Sequence, residues 1–129
     1  MEQNTKKIIK DFSDLFAWQE SHKLVIFVYK LTKKFPEDEK FGLTSQIKRA
    51  AVSITSNIAE GFGRNTKKDK MQFYAIAKGS VYETDNQLKI ALDLKYIQEG
   101  DYTVAKDNIS KCLRLISGLA SSAFDSKSF

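Results

Sequence analysis

The chain has one histidine, His22, in the stretch "WQESHKL", and Gln19 stands three residues before it. A carboxylate-bridged metal centre inside a helical bundle is built from glutamates and inward-facing Glu-x-x-His pairs. The glutamine removes that chemistry. A serine triad needs a histidine base, and zinc needs clustered cysteine and histidine; neither arrangement is present, and there is no phosphate loop of the P-loop kind. The segment "GFGRN" places two glycines before a helix start and could cradle phosphate, but it lacks the strand and the spacing of a nucleotide fingerprint. We therefore expect no catalytic residue, no metal site, no cofactor and no enzymatic activity.

Two other sets of residues have types and spacing that matter. In and around "SITSNIAEGFGR", a helical wheel stacks Ile47, Ala51, Ile54 and Ile58 into an apolar stripe, with Gln46, Arg49, Ser53, Asn57, Glu60 and Arg64 in a polar stripe beside it. The polar stripe reads either as a hydrogen-bonded seam within the fold or as a surface that meets a ligand, a partner or another subunit. Between Ser45 and Ala59 only Lys48 and Arg49 are charged, and the back of this helix carries Val52, Thr55 and Ala59. A surface helix normally shows a charged back. A helix covered on more than one side is expected, and a second copy of the chain is the simplest cover, so the chain is expected to form a homo-oligomer. Gly79 and Ser80, beside Ala77, suggest a close backbone approach on the next helix, since glycine there weakens the helix by about 1 kcal/mol. Folding the two helices about residues 62–65 sets Ser53 level with Tyr74 and brings Glu83 to the start of the earlier helix. Its carboxylate is then expected to accept from the free amides there.

The second set is basic. An up-down-up-down topology gathers Lys6, Lys7, Lys10, Arg64, Lys67, Lys68 and Lys70 at one end, diluted by Asp11, Asp14, Glu60 and Asp69. RNA or DNA phosphates are the partner such a rim would take, with oligomerisation multiplying weak contacts. No aromatic side chain is evident beside these cations, so a single-strand stacking platform is not expected. With 18 lysines and three arginines in a net charge of +5, strong base-edge readout is not expected either. The other expectation is a protein-interaction scaffold that docks a partner such as a polymerase.

These residues need helices to position them. Apolar residues recur at helical spacing over about Leu15–Phe35, Leu43–Gly61, Thr66–Tyr96 and Tyr102–Ala123, separated by Pro36, by Gly61 and Gly63, and by Gly100 and Asp101. The predicted fold is all-α, an antiparallel up-down-up-down four-helix bundle over residues 14–123, with a polar arm at 1–13 and a tail at 124–129. A chain of 129 residues with 42% hydrophobic content can bury such a core. Its longest apolar run, "LVIFVY", is far short of the roughly 20 residues a membrane span requires. No export signal is read at the start, so a cytoplasmic location and no membrane partner are expected. Cys112 lies at core spacing and is expected to be a buried structural thiol.

Several ordered blocks resemble the bacterial four-helix-bundle family of the 23S rRNA intervening-sequence protein. They are Trp18-Gln19, Phe35-Pro36, Phe41-Gly42-Leu43, Gln46, Arg49-Ala50-Ala51, Ser53-Ile54, Asn57-Ile58-Ala59-Glu60-Gly61, Gly79-Ser80, Glu83 and Gln87-Leu88. The resemblance covers about Phe12 to Ile97; Lys48 stands where arginine is common and Thr55 where proline often occurs. It implies a non-enzymatic bundle assembled as a ring-like homopentamer. Some members are encoded within intervening sequences of large-subunit ribosomal RNA genes. Related bundles are accessory proteins of diversity-generating retroelements that bind nucleic acid and a reverse transcriptase, so a reverse transcriptase or a ribosomal component is the protein partner that the resemblance implies.

Overall fold

The long periodic stretches break where local chemistry stops them, and the breaks define four helices. The computed structural model describes residues 8–124, with side chains to Ser122. Helix α1 spans Phe16–Thr32, α2 Leu43–Phe62, α3 Lys67–Asp93 and α4 Glu99–Phe124, with short 3₁₀ turns at Phe12–Asp14 and Glu37–Glu39. Each helix packs on the next and α4 closes against α1. Contacts between residues far apart in sequence show the neighbours to be antiparallel. Lys34 at the end of α1 reaches Asp101 at the start of α4, 2.8 Å away, and Ser53 of α2 meets Ser80 of α3 at 2.9 Å.

Helix ends differ from the sequence reading in instructive ways. Glu39, not Glu83, caps α2: its Oε1 accepts from the Leu43 amide at 3.0 Å and its Oε2 from the Tyr96 hydroxyl at 2.7 Å. The tyrosine hydroxyl and the Leu43 amide hold the Glu39 carboxyl below the usual range. The 3₁₀ turn after Pro36 brings the Glu39 side chain within hydrogen-bond reach of the free amide at the start of α2. Thr66 caps α3 as its position suggests, accepting from the Asp69 amide at 3.1 Å.

Helix α3 stops at Asp93 rather than Tyr96. Lys95 adopts a left-handed φ of 65°, while Tyr96 donates to the Ala91 carbonyl and Lys95 to the Leu92 carbonyl, both at 2.9 Å. That pair of bonds is the Schellman arrangement. Asp101 accepts from the Gln98 amide at 3.0 Å, which starts α4 at Glu99 and leaves Gly100 inside the helix instead of before it.

The α2–α3 register also departs from the expected one. Ser53 lies beside Ser80, not Tyr74, so Glu83 falls short of the α2 N-terminus. The reason is Gly61. A Cβ there would stand 2.6 Å from Tyr74 Cε1 and 3.1 Å from Phe73 Cβ, so the missing side chain lets the buried Tyr74 ring seat against α2. Gly61 is an interior residue of α2 with no positive φ, so it does not stop the helix; Gly63 is the C-cap. Within the chain the close approach is at Gly61; a Cβ at Gly79 would meet nothing within 4 Å.

The core is the set of inward stripes. Leu24, Val28, Ile47, Ile54, Ile58, Val81, Leu88, Ile109 and Ile116 are essentially inaccessible to water, each contributing roughly 1.5–3 kcal/mol by burial. Cys112 lies among them, and burial pushes its thiol up to about 11, as befits a packing residue. One ionic tie crosses the α3–α4 boundary. Asp85, 6% exposed, accepts from Tyr102 at 2.7 Å and from Lys106 at 2.8 Å, and Lys89 lies 3.6 Å away while also bonding Tyr102. Burial works against the charge on Asp85, but the bonds from Lys106 and Tyr102 and the charges of Lys106 and Lys89 outweigh it and lower its pKa.

Three outcomes follow from these contacts, each read by urea denaturation. Gly61→Ala should cost roughly 1–3 kcal/mol by overpacking against Tyr74, despite alanine's better helix propensity. Lys95→Gly should gain about 1 kcal/mol by relieving a left-handed conformation that costs a non-glycine residue roughly that much. Asp85→Asn should cost about 2 kcal/mol near neutral pH, where charged hydrogen bonds are removed. Because the folded-state pKa of Asp85 is lowered, its contribution is full above the ordinary carboxylate pKa of roughly 4 and disappears as pH falls through the lower folded value. The gap between wild type and Asp85→Asn should close in that acid window; a gap that persists there would rule the carboxylate out as its source.

Candidate nucleic-acid interface and helical seam

The turn from α2 into α3 puts cations at one end of the bundle. Gly63 ends α2, Thr66 caps α3, and between them Arg64 points back over the Phe73 ring, its Cζ 4.4 Å from the centroid and Nη2 3.8 Å from Glu60. Lys67 and Lys68 occupy the first turn of α3 and are exposed. Lys10 is exposed just before the 3₁₀ turn; Lys6 and Lys7 lie outside the described residues.

Lys70 has a different job. Its Nζ donates to the carbonyls of Phe62 at 2.8 Å and Gly61 at 3.3 Å and lies 5.5 Å from the Phe62 ring, while burial lowers its pKa. It satisfies the carbonyls at the negative end of the α2 dipole. Two aromatic rings therefore do sit among these cations, contrary to the sequence reading, and Arg64 and Lys70 lie against them. Asp11 and Asp14 are drawn into a capping box around Ser13, and the Ser13 hydroxyl and amide keep the Asp11 carboxyl low.

The polar stripe of α2 divides into two. Ser53 and Asn57 form a seam inside the bundle: Asn57 Nδ2 donates to the Ser53 carbonyl at 2.8 Å and to its hydroxyl at 3.0 Å, and Ser53 pairs with the buried Ser80. Gln46, Arg49 and Glu60 are exposed and so are not part of an internal seam. On α3, Gly79 and Glu83 are exposed as well, and the Glu83 carboxylate meets only the Gln87 amide nitrogen, at 3.4 Å. Gln87 is 5% exposed, and its Oε1 has no hydrogen-bond donor.

The Asp85 tie and the Glu39 cap were not singled out from the sequence. Lys89, four residues after Asp85, was a readable hint of a helical ion pair, whereas Lys106 and Tyr96 arrive from distant turns. His22 is exposed and stacks on Trp18 with centroids 4.6 Å apart, an i,i+4 ring pair. Among the described residues, no group of three or more histidine, cysteine or acidic side chains is placed to hold a metal, and no helix is long and apolar enough to cross a membrane.

The same architecture occurs in a crystal structure from Bacteroides thetaiotaomicron, a protein of unknown function from the S23 ribosomal protein family. It superposes with a TM-score of 0.74 at 22% identity, over 81% of this chain and 97% of the other, a likeness of fold. No curated protein matches. Residues 13–118 match the family described as 23S rRNA-intervening sequence protein, which takes in all of α1, α2 and α3 and most of α4. On that match, over the greater part of its length, the chain belongs to the 23S rRNA-intervening sequence protein family.

Proposed function

We propose that the chain is a non-enzymatic assembly module: copies associate through the sides of α2, and the assembled bundles present their basic ends to the phosphates of RNA or DNA without strong sequence readout. The observation that carries the reading is the exposed cluster of Arg64, Lys67 and Lys68, three cations within five residues at one end of the bundle. The turn that holds them is fixed by the Gly63 and Thr66 caps, so only their side chains, not the backbone, are ordered on binding. Lys70 supports the site by capping α2 and is not itself a phosphate ligand. Lysines suit backbone contacts, which act as point charges rather than as planar forks.

A second reading, a scaffold that docks a protein such as a reverse transcriptase or a ribosomal component, draws on the exposed Phe41, Ile76, Ile90 and Leu94. Salt separates the two readings, since phosphate contacts release counterions and a buried protein interface does not.

Light scattering should give a mass above the protomer. Binding to a mixed pool of RNA and DNA should then weaken steeply as salt rises. In the triple variant Arg64→Gln, Lys67→Gln, Lys68→Gln, the slope of log K against log salt should flatten by roughly one unit for each phosphate that is no longer neutralised. A multimer that binds neither nucleic acid at low salt would discard the phosphate reading in favour of the scaffold.

A further inference from the structure

Two partly exposed stripes on this chain match one another; in the α2 stripe the Lys48 ammonium lies 4.9 Å from the Tyr29 ring of α1, at the rim where a neighbour's carboxylate can also reach it. Along α2, Lys48, Val52 and Thr55 lie on one line, and Phe41 stands in the turn just before the helix. Phe41 is 89% exposed, Val52 is exposed, and the other two are half-buried. Along the outside of α3, Ile76, Gly79, Glu83 and Ile90 lie on another line, all four exposed. Counting along α2 from Phe41, the steps are seven, four and three residues; counting back along α3 from Ile90, they are also seven, four and three. Steps of three, four and seven return to the same side of a helix, so Lys48, Val52 and Thr55 form one stripe on α2 and the four α3 residues form another, while Phe41 stands in the turn before α2.

We infer that α2 of one copy packs antiparallel on α3 of the next, setting Phe41 against Ile90, Lys48 against Glu83, Val52 against Gly79 and Thr55 against Ile76. This rests on the self-association proposed above and names the surface that performs it. Four features argue for a second copy as the occupant. The one charged position in each stripe is lysine in one and glutamate in the other, and the antiparallel register makes them meet. Gly79 has nothing within 4 Å of where a Cβ would stand, and a neighbour's valine opposite it fills that notch. Glu83 is exposed and has only a 3.4 Å contact with Gln87 within its own chain, so its carboxylate is open to a cation from a neighbour. Finally, α2 becomes the helix with its own core on one side and a neighbour on another, which accounts for its charge-poor back.

The two stripes are different surfaces, so the contact is heterologous and generates a ring or a filament. Within one chain Ser53 meets Ser80, and across the contact Val52 meets Gly79. The offset is two residues, about 3 Å along the axis. Successive copies thus stand nearly level, with their basic ends on one rim.

The test uses the full chain and reads mass by light scattering across a dilution series. Glu83→Lys and Lys48→Glu should each weaken self-association at least tenfold, and the two together should restore it. Gly79→Leu has open space in the single copy and improves helix propensity, so the protomer should stay folded by circular dichroism while association is abolished. The seam is overturned, with self-association intact, if Gly79→Leu remains as multimeric as wild type, or if the paired charge reversal fails to recover the association that each single change weakens. A wild-type chain that stays at protomer mass would overturn the seam and the self-association together.

Discussion

The register between α2 and α3 is the constraint on which the other features depend, and the absent side chain of Gly61 sets it. With no Cβ in the way, the Tyr74 ring seats against α2, and six residues further up α3 Ser80 comes level with Ser53. A Tyr74 displaced by one turn would leave Ser80 buried without its partner, and an unpaired buried hydroxyl costs roughly 1–3 kcal/mol. The same register brings Lys70 under the last carbonyls of α2 and sends Asp85 to the opposite side of α3, where Lys106 and Tyr102 of α4 meet it. Packing, capping and charge pairing thus agree on one arrangement, the consistency expected of a sequence that specifies a single fold.

That arrangement divides labour between the flanks of α3. The α4 side is closed by a buried carboxylate with three polar partners. The α2 side is closed along the core stripes and by Ser53, Asn57 and Ser80, which are satisfied within the chain, while Arg49, Gly79 and Glu83 are left outside. A bundle of four helices can bury one broad stripe of each helix. Among the residues left outside, Val52, Ile76, Gly79 and Ile90 are aliphatic or small and stand beside polar ones such as Gln46, Arg49, Glu83 and Asn86.

The four helices were legible because periodicity and breakers act locally: the spacing of Ile47, Ile54 and Ile58 and the position of Pro36 need no knowledge of the rest of the chain. What escaped were consequences of distance and of identical residues with two meanings. Glycine near a helix end reads as a stop, and Gly61 would have been separable from Gly63 only by knowing that a tyrosine ring lies against it. The Glu83 assignment failed because the fold-back point was placed about three residues too early, and a small displacement at a turn moves every opposite pair. Glu39 could not be selected from "PEDEKFG" because three acids occur in three consecutive positions, and which of them faces Leu43 is decided by the 3₁₀ turn. The sequence places Lys70 beside the other cations of this end but does not show the Gly61 and Phe62 carbonyls that its ammonium reaches.

The modest charge of that end bears on how any phosphate contact would be used. Lys10, Arg64, Lys67, Lys68 and Lys70 are nearly balanced by Asp11, Asp14, Glu60 and Asp69. Two of those acids are held by their own backbone turn, Glu60 lies beside Arg64, and Lys70 is occupied by α2. A single bundle therefore presents only a weak positive field, and weak contacts that ions screen over about 8–10 Å have little reach at physiological salt. Repetition changes this. If level copies place several such ends on one rim, the first contact raises the effective concentration of the next, and avidity can exceed the affinity of one end by orders of magnitude. Assembly and nucleic-acid binding are then linked: a seam along the charge-poor sides of α2 and α3 would create the multiplicity that the lightly charged end requires.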